Sequence, residues 1–147
     1  MPQPLRQSTT TADTILLVED DQNHCDLIDR TIQKNTIDRE IRTVHFFDGE
    51  AAKNYLEHQA EDLPKLILLD LKLPKVSGLE LLAWIKSDTS LRRIPVVILT
   101  TSLAEHDTQQ AIELNANSIL TKSINFVEFN EMINDTITYW MRWNRGA

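Results

Sequence analysis

Apolar residues fall into two patterns that alternate along this chain. Four short runs are apolar almost without interruption: Thr14-Ile-Leu-Leu-Val18, Leu66-Ile-Leu-Leu69, Val96-Val-Ile-Leu99 and the shorter Ser118-Ile-Leu-Thr121. A run apolar at every position, rather than at every second one, predicts a strand covered on both faces. Ile41 to Phe47 is more mixed and predicts a further strand nearer an edge. Between the runs the spacing becomes helical. Ile28 and Ile32 stand four apart within 22–34; Ala51, Ala52, Tyr55 and Leu56 form a stripe after Gly49. Leu79, Leu82, Ala83 and Ile85 follow Gly78, and Ala111, Ile112 and Leu114 follow Glu105-His-Asp107. The last helix is the clearest, with Phe126, Phe129, Ile133, Ile137 and Trp140 spaced 3, 4, 4 and 3. Asn125 and Glu128 sit at the spacing of a capping box before it.

The predicted architecture is therefore α/β, with a strand–helix unit repeated five times. Such alternation gives a parallel sheet with helices on both faces and right-handed crossovers. A flavodoxin-like three-layer sandwich, strand order 2-1-3-4-5, is the leading topology. A dinucleotide-binding fold is disfavoured, because no glycine-rich loop follows the first run and the chain has only 3 glycines. Residues 1–13, rich in Pro, Ser and Thr, are expected to form a mobile tail, 14–138 the domain, and 139–147 an extension of the last helix.

Length and charge narrow the function. With 147 residues the chain suits one domain. The 15 basic and 22 acidic residues leave a net charge of -7, which argues against nucleic acid or an anionic membrane as partner. No apolar run approaches the ~18 residues of a membrane span, and the N-terminus lacks the apolar core of a signal peptide, so a cytoplasmic location is expected. Cys25 is the single cysteine, which rules out an internal disulfide and a thiolate zinc site. A receptor, a disulfide-stapled secreted protein, a zinc finger and a regulator with its own output domain are not expected.

The chemistry lies just past the strands. In an open α/β sheet, ligands bind at the carboxyl ends of the strands beside the topological switch point. Glu19, Asp20 and Asp21 follow the first run, Asp70 the third, Thr100, Thr101 and Ser102 the fourth, and Lys122 the fifth. Taken singly, each has an ordinary role: loop acids, turn residues, helix caps, a surface lysine. Taken together, in the order 2-1-3-4-5, they converge on one rim. Clustered carboxylates repel unless a cation joins them, and aspartate oxygens on a hydrated rim suit Mg²⁺ or another divalent cation. Asp70 could then serve as a nucleophile forming an acyl phosphate, with Thr100 donating a hydroxyl and Lys122 a positive charge to the transferring oxygens.

Val-Glu-Asp-Asp at 18–21, Leu-Leu-Asp-Leu-Lys-Leu-Pro at 68–74 with Gly78, Ile-Leu-Thr-Thr-Ser at 98–102 and Leu-Thr-Lys-Ser at 120–123 resemble the receiver domain of two-component response regulators, over roughly 14–138. Arg-Arg-Ile-Pro-Val-Val-Ile-Leu-Thr-Thr-Ser and the Leu-Thr-Lys-Ser ending resemble, more narrowly, the stand-alone regulators of cyanobacterial phytochromes. The resemblance implies that Asp70 is the phosphoacceptor, Glu19 and Asp20 the metal-binding acid pair, Thr100 and Lys122 the conserved hydroxyl and lysine, and the Lys72 backbone carbonyl a further metal ligand. It also implies a sensor histidine kinase, expected to be a phytochrome, as phosphoryl donor, an unidentified downstream protein as target, and no enzymatic activity beyond the domain's own phosphorylation and dephosphorylation. The chain departs from the pattern at Ser123, where proline is usual, at Ile119, where many receivers carry an aromatic switch residue, and at Lys72, usually neutral or acidic.

Two other classes compete: a haloacid-dehalogenase-type hydrolase, which wants an acid where Lys72 stands, and a receiver-like platform that never turns over phosphate. His24, His45, His58 and His106 are dispersed without metal-ligand spacing and are expected to be solvated or partly packed; Cys25 is expected half-buried and structural, and Trp84 on the flank of the third helix. A homodimer is expected through the C-terminal helix. Its interface residues would be Phe129, Met132, Tyr139, Trp140 and Trp143, with Arg142 and Arg145 nearby.

Overall fold

A computed structural model describes residues 13–35, 40–59, 61–101, 105–122 and 125–144. Ser102, Ser123, Arg145 and positions 1–12 of the expected tail lie outside the described residues. The elements follow in the predicted alternation: β1 (Asp13–Val18), α1 (Gln22–Lys34), β2 (Ile41–Phe46), α2 (Gly49–Glu57), β3 (Leu66–Leu69), α3 (Gly78–Ser87), β4 (Val96–Thr100), α4 (Glu105–Glu113), β5 (Ser118–Thr121) and α5 (Phe126–Ile137). All strand pairs are parallel, in the order β2-β1-β3-β4-β5, as predicted. Asp13, expected in the tail, opens β1, paired in register with Ile41.

Strand residues alternate between two cores, which explains the uninterrupted apolar runs. Leu16, Val18, Ile67, Leu69, Val96 and Ile98 pack with α2, α3 and α4 residues such as Ala52, Leu56, Leu81, Ile85 and Ala111. Ile15, Leu17, Leu66, Leu68, Val97 and Leu99 face α1 and α5, against Cys25, Ile28, Ile32, Phe129, Ile133 and Ile137. Burying one such side chain contributes about 1.5–3 kcal/mol. The edge strands β2 and β5 are mostly half-buried, in keeping with their mixed composition.

Caps set where the helices begin. Asp21 accepts from the Asn23 and His24 N–H groups to start α1. Ser77 and Glu80 form a full capping box at α3, and Asn125 accepts from the Glu128 N–H at α5. Trp84 packs on the first core and carries the Lys53 ammonium over its ring, 5.2 Å from the centroid, linking α3 to α2.

The C-terminal helix departs from expectation in its inward positions. Beyond Ile137 it continues as a π-helical segment (Thr138–Trp143), with the Asn144 N–H bonded to the Tyr139 carbonyl at 2.8 Å. Bonding five residues apart widens the turn. The next inward position thus falls at Met141, buried in the second core, while Trp140 is only half-buried. A boundary after Thr138 therefore cuts through one packed helical element. Phe126, expected to dock on the sheet, is 51% exposed and lines a groove between α1 and α5 with Leu27 and Thr31. Phe129, expected both in the inward stripe and at an interface, is buried between α5 and α1 at the inward position one turn further on, as the stripe implies and an interface role does not.

Candidate functional site

The site is built by hydrogen bonds that extend the sheet one residue past the strands. The Glu19 N–H bonds the Phe46 carbonyl (3.1 Å), the Asp70 N–H bonds that of Val18 (3.0 Å), and the Lys122 N–H bonds that of Thr100 (2.8 Å). Backbone pairing thus holds Glu19, Asp70 and Lys122 on the rim, beside Thr100 at the end of β4. Glu19 and Thr100 are each 1% exposed, Asp70 and Lys122 each 8%, and Asp20 is exposed.

Carboxylate oxygens of Glu19, Asp20 and Asp70 all lie within 4.8 Å of one another. The Lys122 ammonium pairs with Glu19 Oε1 and, at 3.2 Å, with Asp70 Oδ2. The remaining oxygens are held by backbone: Glu19 Oε2 accepts from the Asp21 N–H at 3.1 Å and Asp70 Oδ1 from the Lys72 N–H at 3.2 Å. Burial pushes the Glu19 carboxyl up to about 7, against the opposing pull of Lys122, and the Asp70 charge adds to the rise. Three carboxylates facing one ammonium leave the cluster short of positive charge. An all-oxygen donor set with one exposed member fits a divalent cation that keeps waters, as Mg²⁺ does.

Glycine is required at two places around Asp70. A Cβ on Gly78 would lie 2.2 Å from the Asp70 carbonyl oxygen, and one on Gly49 would lie 2.0 Å from that of Val76. A side chain at either position would therefore displace the loop that follows the phosphoacceptor candidate. Lys75, in the same loop, takes a left-handed φ of 66°.

All five candidates named for the rim (Glu19, Asp20, Asp70, Thr100 and Lys122) meet there. Asp21, by contrast, is the α1 cap. Lys72 is exposed, and Ile119 is half-buried against the first core. Two of the histidines expected to be solvated or partly packed, both half-buried, also make specific polar contacts. His24 Nδ1 lies 3.1 Å from Lys122 Nζ, and His45 Nε2 lies 2.8 Å from Cys25 Sγ and 3.0 Å from the Glu19 carbonyl oxygen. Cys25 is fully buried rather than half-buried, and burial raises its thiol to about 12, which leaves it unreactive. No local signal marked His24: its place in the first turn after the Asp21 cap does not say which way its ring faces. The Cys25–His45 pair, 20 residues apart, has no counterpart in local pattern.

Residues 15–134 match the response regulator receiver domain. The chain belongs to that family. Members are signalling domains rather than conventional enzymes, which sets the hydrolase reading aside. The chain is 43% identical over 131 residues to response regulator Rcp1 of Synechocystis sp., covering 86% of this chain and 88% of Rcp1. It is 41% identical over 135 residues to the probable methanogenesis regulatory protein FilR2 of Methanothrix harundinacea, covering 90% and 86%. The phosphorylated cyanobacterial phytochrome response regulator RcpA superposes with a TM-score of 0.84 at 37% identity, over 92% of this chain and 99% of RcpA. Mn²⁺-bound Rcp1 gives the same TM-score at 40% identity, over 92% and 99%. Among the described residues no helix is long and apolar enough to cross a membrane.

Proposed function

We propose that the chain is a cytoplasmic response regulator that takes a phosphoryl group onto Asp70 from a sensor histidine kinase, a phytochrome, and signals through a downstream protein. The observation that carries this reading is the position of Asp70, one oxygen on the Lys122 ammonium and the carboxylate within reach of Glu19 and Asp20. An Asp70 oxygen forms the bond to phosphorus as the bond to the donor's imidazole nitrogen breaks and the imidazole leaves. The Thr100 hydroxyl and the Lys122 ammonium would stabilise the oxygens on which charge gathers. Glu19, Asp20, Asp70 and the Lys72 backbone carbonyl would hold the divalent cation, whose charge offsets that of the phosphoryl group. The names of Rcp1 and RcpA support the phytochrome assignment. Incubation with a small phosphodonor, with and without Mg²⁺, followed by intact-mass measurement tests the reading. A gain of one phosphoryl group that needs the metal and vanishes in Asp70→Asn is expected; an equal gain in Asp70→Asn, or one indifferent to chelator, overturns it.

The same reading includes pairing with a second copy through the end of the C-terminal helix. Support comes from Tyr139 and Trp143, 53% and 63% exposed, and from Arg142, stacked 4.9 Å over the Trp143 ring. Arginine and aromatic side chains of this kind anchor interfaces. Tyr139→Ser with Trp143→Ser should convert a sedimenting dimer to a monomer while sparing buried Met141. An unchanged sedimentation coefficient would count against the pairing.

A further inference from the structure

His24 lies in the first turn of α1, its backbone N–H bonded to the Asp21 cap and its ring 6.2 Å from that of Phe129 on α5. Its Nδ1 is 3.1 Å from Lys122 Nζ but 3.8 Å from both Glu19 Oε2 and Asp21 Oδ2. The first distance is that of a hydrogen bond and the other two are not. An ammonium can only donate, so Nδ1 accepts, which makes the imidazole neutral with its proton on Nε2. Lys122 has three ammonium protons and meets three acceptors: Glu19 Oε1, Asp70 Oδ2 and His24 Nδ1.

These three acceptors are not equivalent. Two are carboxylate oxygens, and that of Asp70 is altered when the residue becomes an acyl phosphate. His24 supplies an acceptor that adds no negative charge to an already acidic cluster. The ammonium is therefore held in direction without losing further positive potential to its support. The side chain of His24 is 31% exposed, so it can be changed without opening a cavity in the core.

We propose that His24 is a positioning residue for phosphoryl transfer, aiming the Lys122 ammonium at the Asp70 phosphoryl oxygens through a hydrogen bond to its neutral imidazole. The proposal rests on Asp70 being the phosphoacceptor. It predicts that His24→Ala slows phosphorylation by a small phosphodonor at saturating donor and Mg²⁺ by about threefold to tenfold, the net worth of one typical hydrogen bond. The donor concentration for half-maximal rate should stay within about twofold, because His24 aims a group rather than binding the donor. His24→Asn, whose amide oxygen can take the place of Nδ1, should recover most of the rate, whereas a purely structural role for the ring would leave Asn as slow as Ala. In the metal-free protein, imidazole nitrogen NMR should find His24 as the Nε2–H tautomer, and Lys122→Met should shift its Nδ1 resonance. Wild-type rates in His24→Ala, no recovery in His24→Asn, or an Nδ1 resonance indifferent to Lys122→Met each overturn the proposal alone. A wild-type chain that gains no phosphoryl group overturns the phosphoacceptor reading and this proposal with it.

Discussion

Lys122 and Lys86 each place an ammonium among three acceptors, at opposite ends of one sheet. At the amino end, Lys86 donates to the Arg92 and Ile94 carbonyls (both 3.2 Å) and to Asn117 Oδ1 (2.9 Å). Asn117 Oδ1 also accepts from the Val96 N–H at 2.8 Å, so the cluster ties α3 to the starts of β4 and β5. All of these acceptors are neutral and none changes its chemistry, and partial burial accordingly lowers the Lys86 pKa. At the carboxyl end, two of the three Lys122 acceptors are carboxylates, one of them the phosphoacceptor candidate. On the proposed reading, the same residue type, equally saturated, is a clamp where its partners are inert and would be a chemical participant where a partner can be modified. What separates the two lysines is the reactivity of their partners, not the number of hydrogen bonds.

The sharpest way to break this comparison is to remove each ammonium in turn. Lys122→Met takes away a cation facing the transferring oxygens and should slow phosphorylation about a hundredfold in a mass-based time course. A slowing under twofold would place Lys122 with Lys86 as a structural residue. A second test uses the carboxylate to which Lys122 is paired. The Glu19 carboxyl sits at about 7 against its ordinary 4.5, so the folded, metal-free chain holds that proton more tightly than the unfolded chain does. Its contribution to stability is fully present below pH 4.5 and is lost as pH rises through about 7. A cation competes with the same proton, so Mg²⁺ affinity measured by calorimetry should fall by up to about tenfold per pH unit below the Glu19 pKa. A flat profile from about pH 6 to about pH 8 would remove Glu19 from the ligand set. Smallest is the effect of Lys86→Met. It should lower unfolding free energy by about 1–2 kcal/mol in urea titration, with phosphorylation kinetics unchanged. A change in those kinetics would show that the two ends of the sheet are coupled.

Much of this molecule is legible residue by residue. The runs at 15–18, 66–69 and 96–99 are apolar at successive positions because each strand serves two cores at once, and that pattern survives in the linear order. The rim residues are legible for a related reason. A parallel sheet puts every strand's carboxyl end on one side, so Asp20, Asp70, Thr100 and Lys122 are neighbours as soon as the topology is known. His24 was not, since nothing local distinguishes a polar residue in a first helical turn that faces solvent from one that faces a lysine 98 positions away.

The sequence by itself determined the alternation of elements, the parallel sheet and the acids, hydroxyl and lysine at its carboxyl edge, because these follow from periodicity and from which residue types end each apolar run. Tertiary structure decided what those patterns leave open. It continued the last helix as a π-helical segment, so that Met141 is buried in the core while Trp140 lies half-buried against it, and it left Phe126 exposed in a groove between α1 and α5. It also brought His24 to Lys122 and His45 to Cys25. Each of these depends on how one helix rotates and settles against a neighbour distant in sequence. That choice is made by the fit of whole side-chain layers, which no local spacing records.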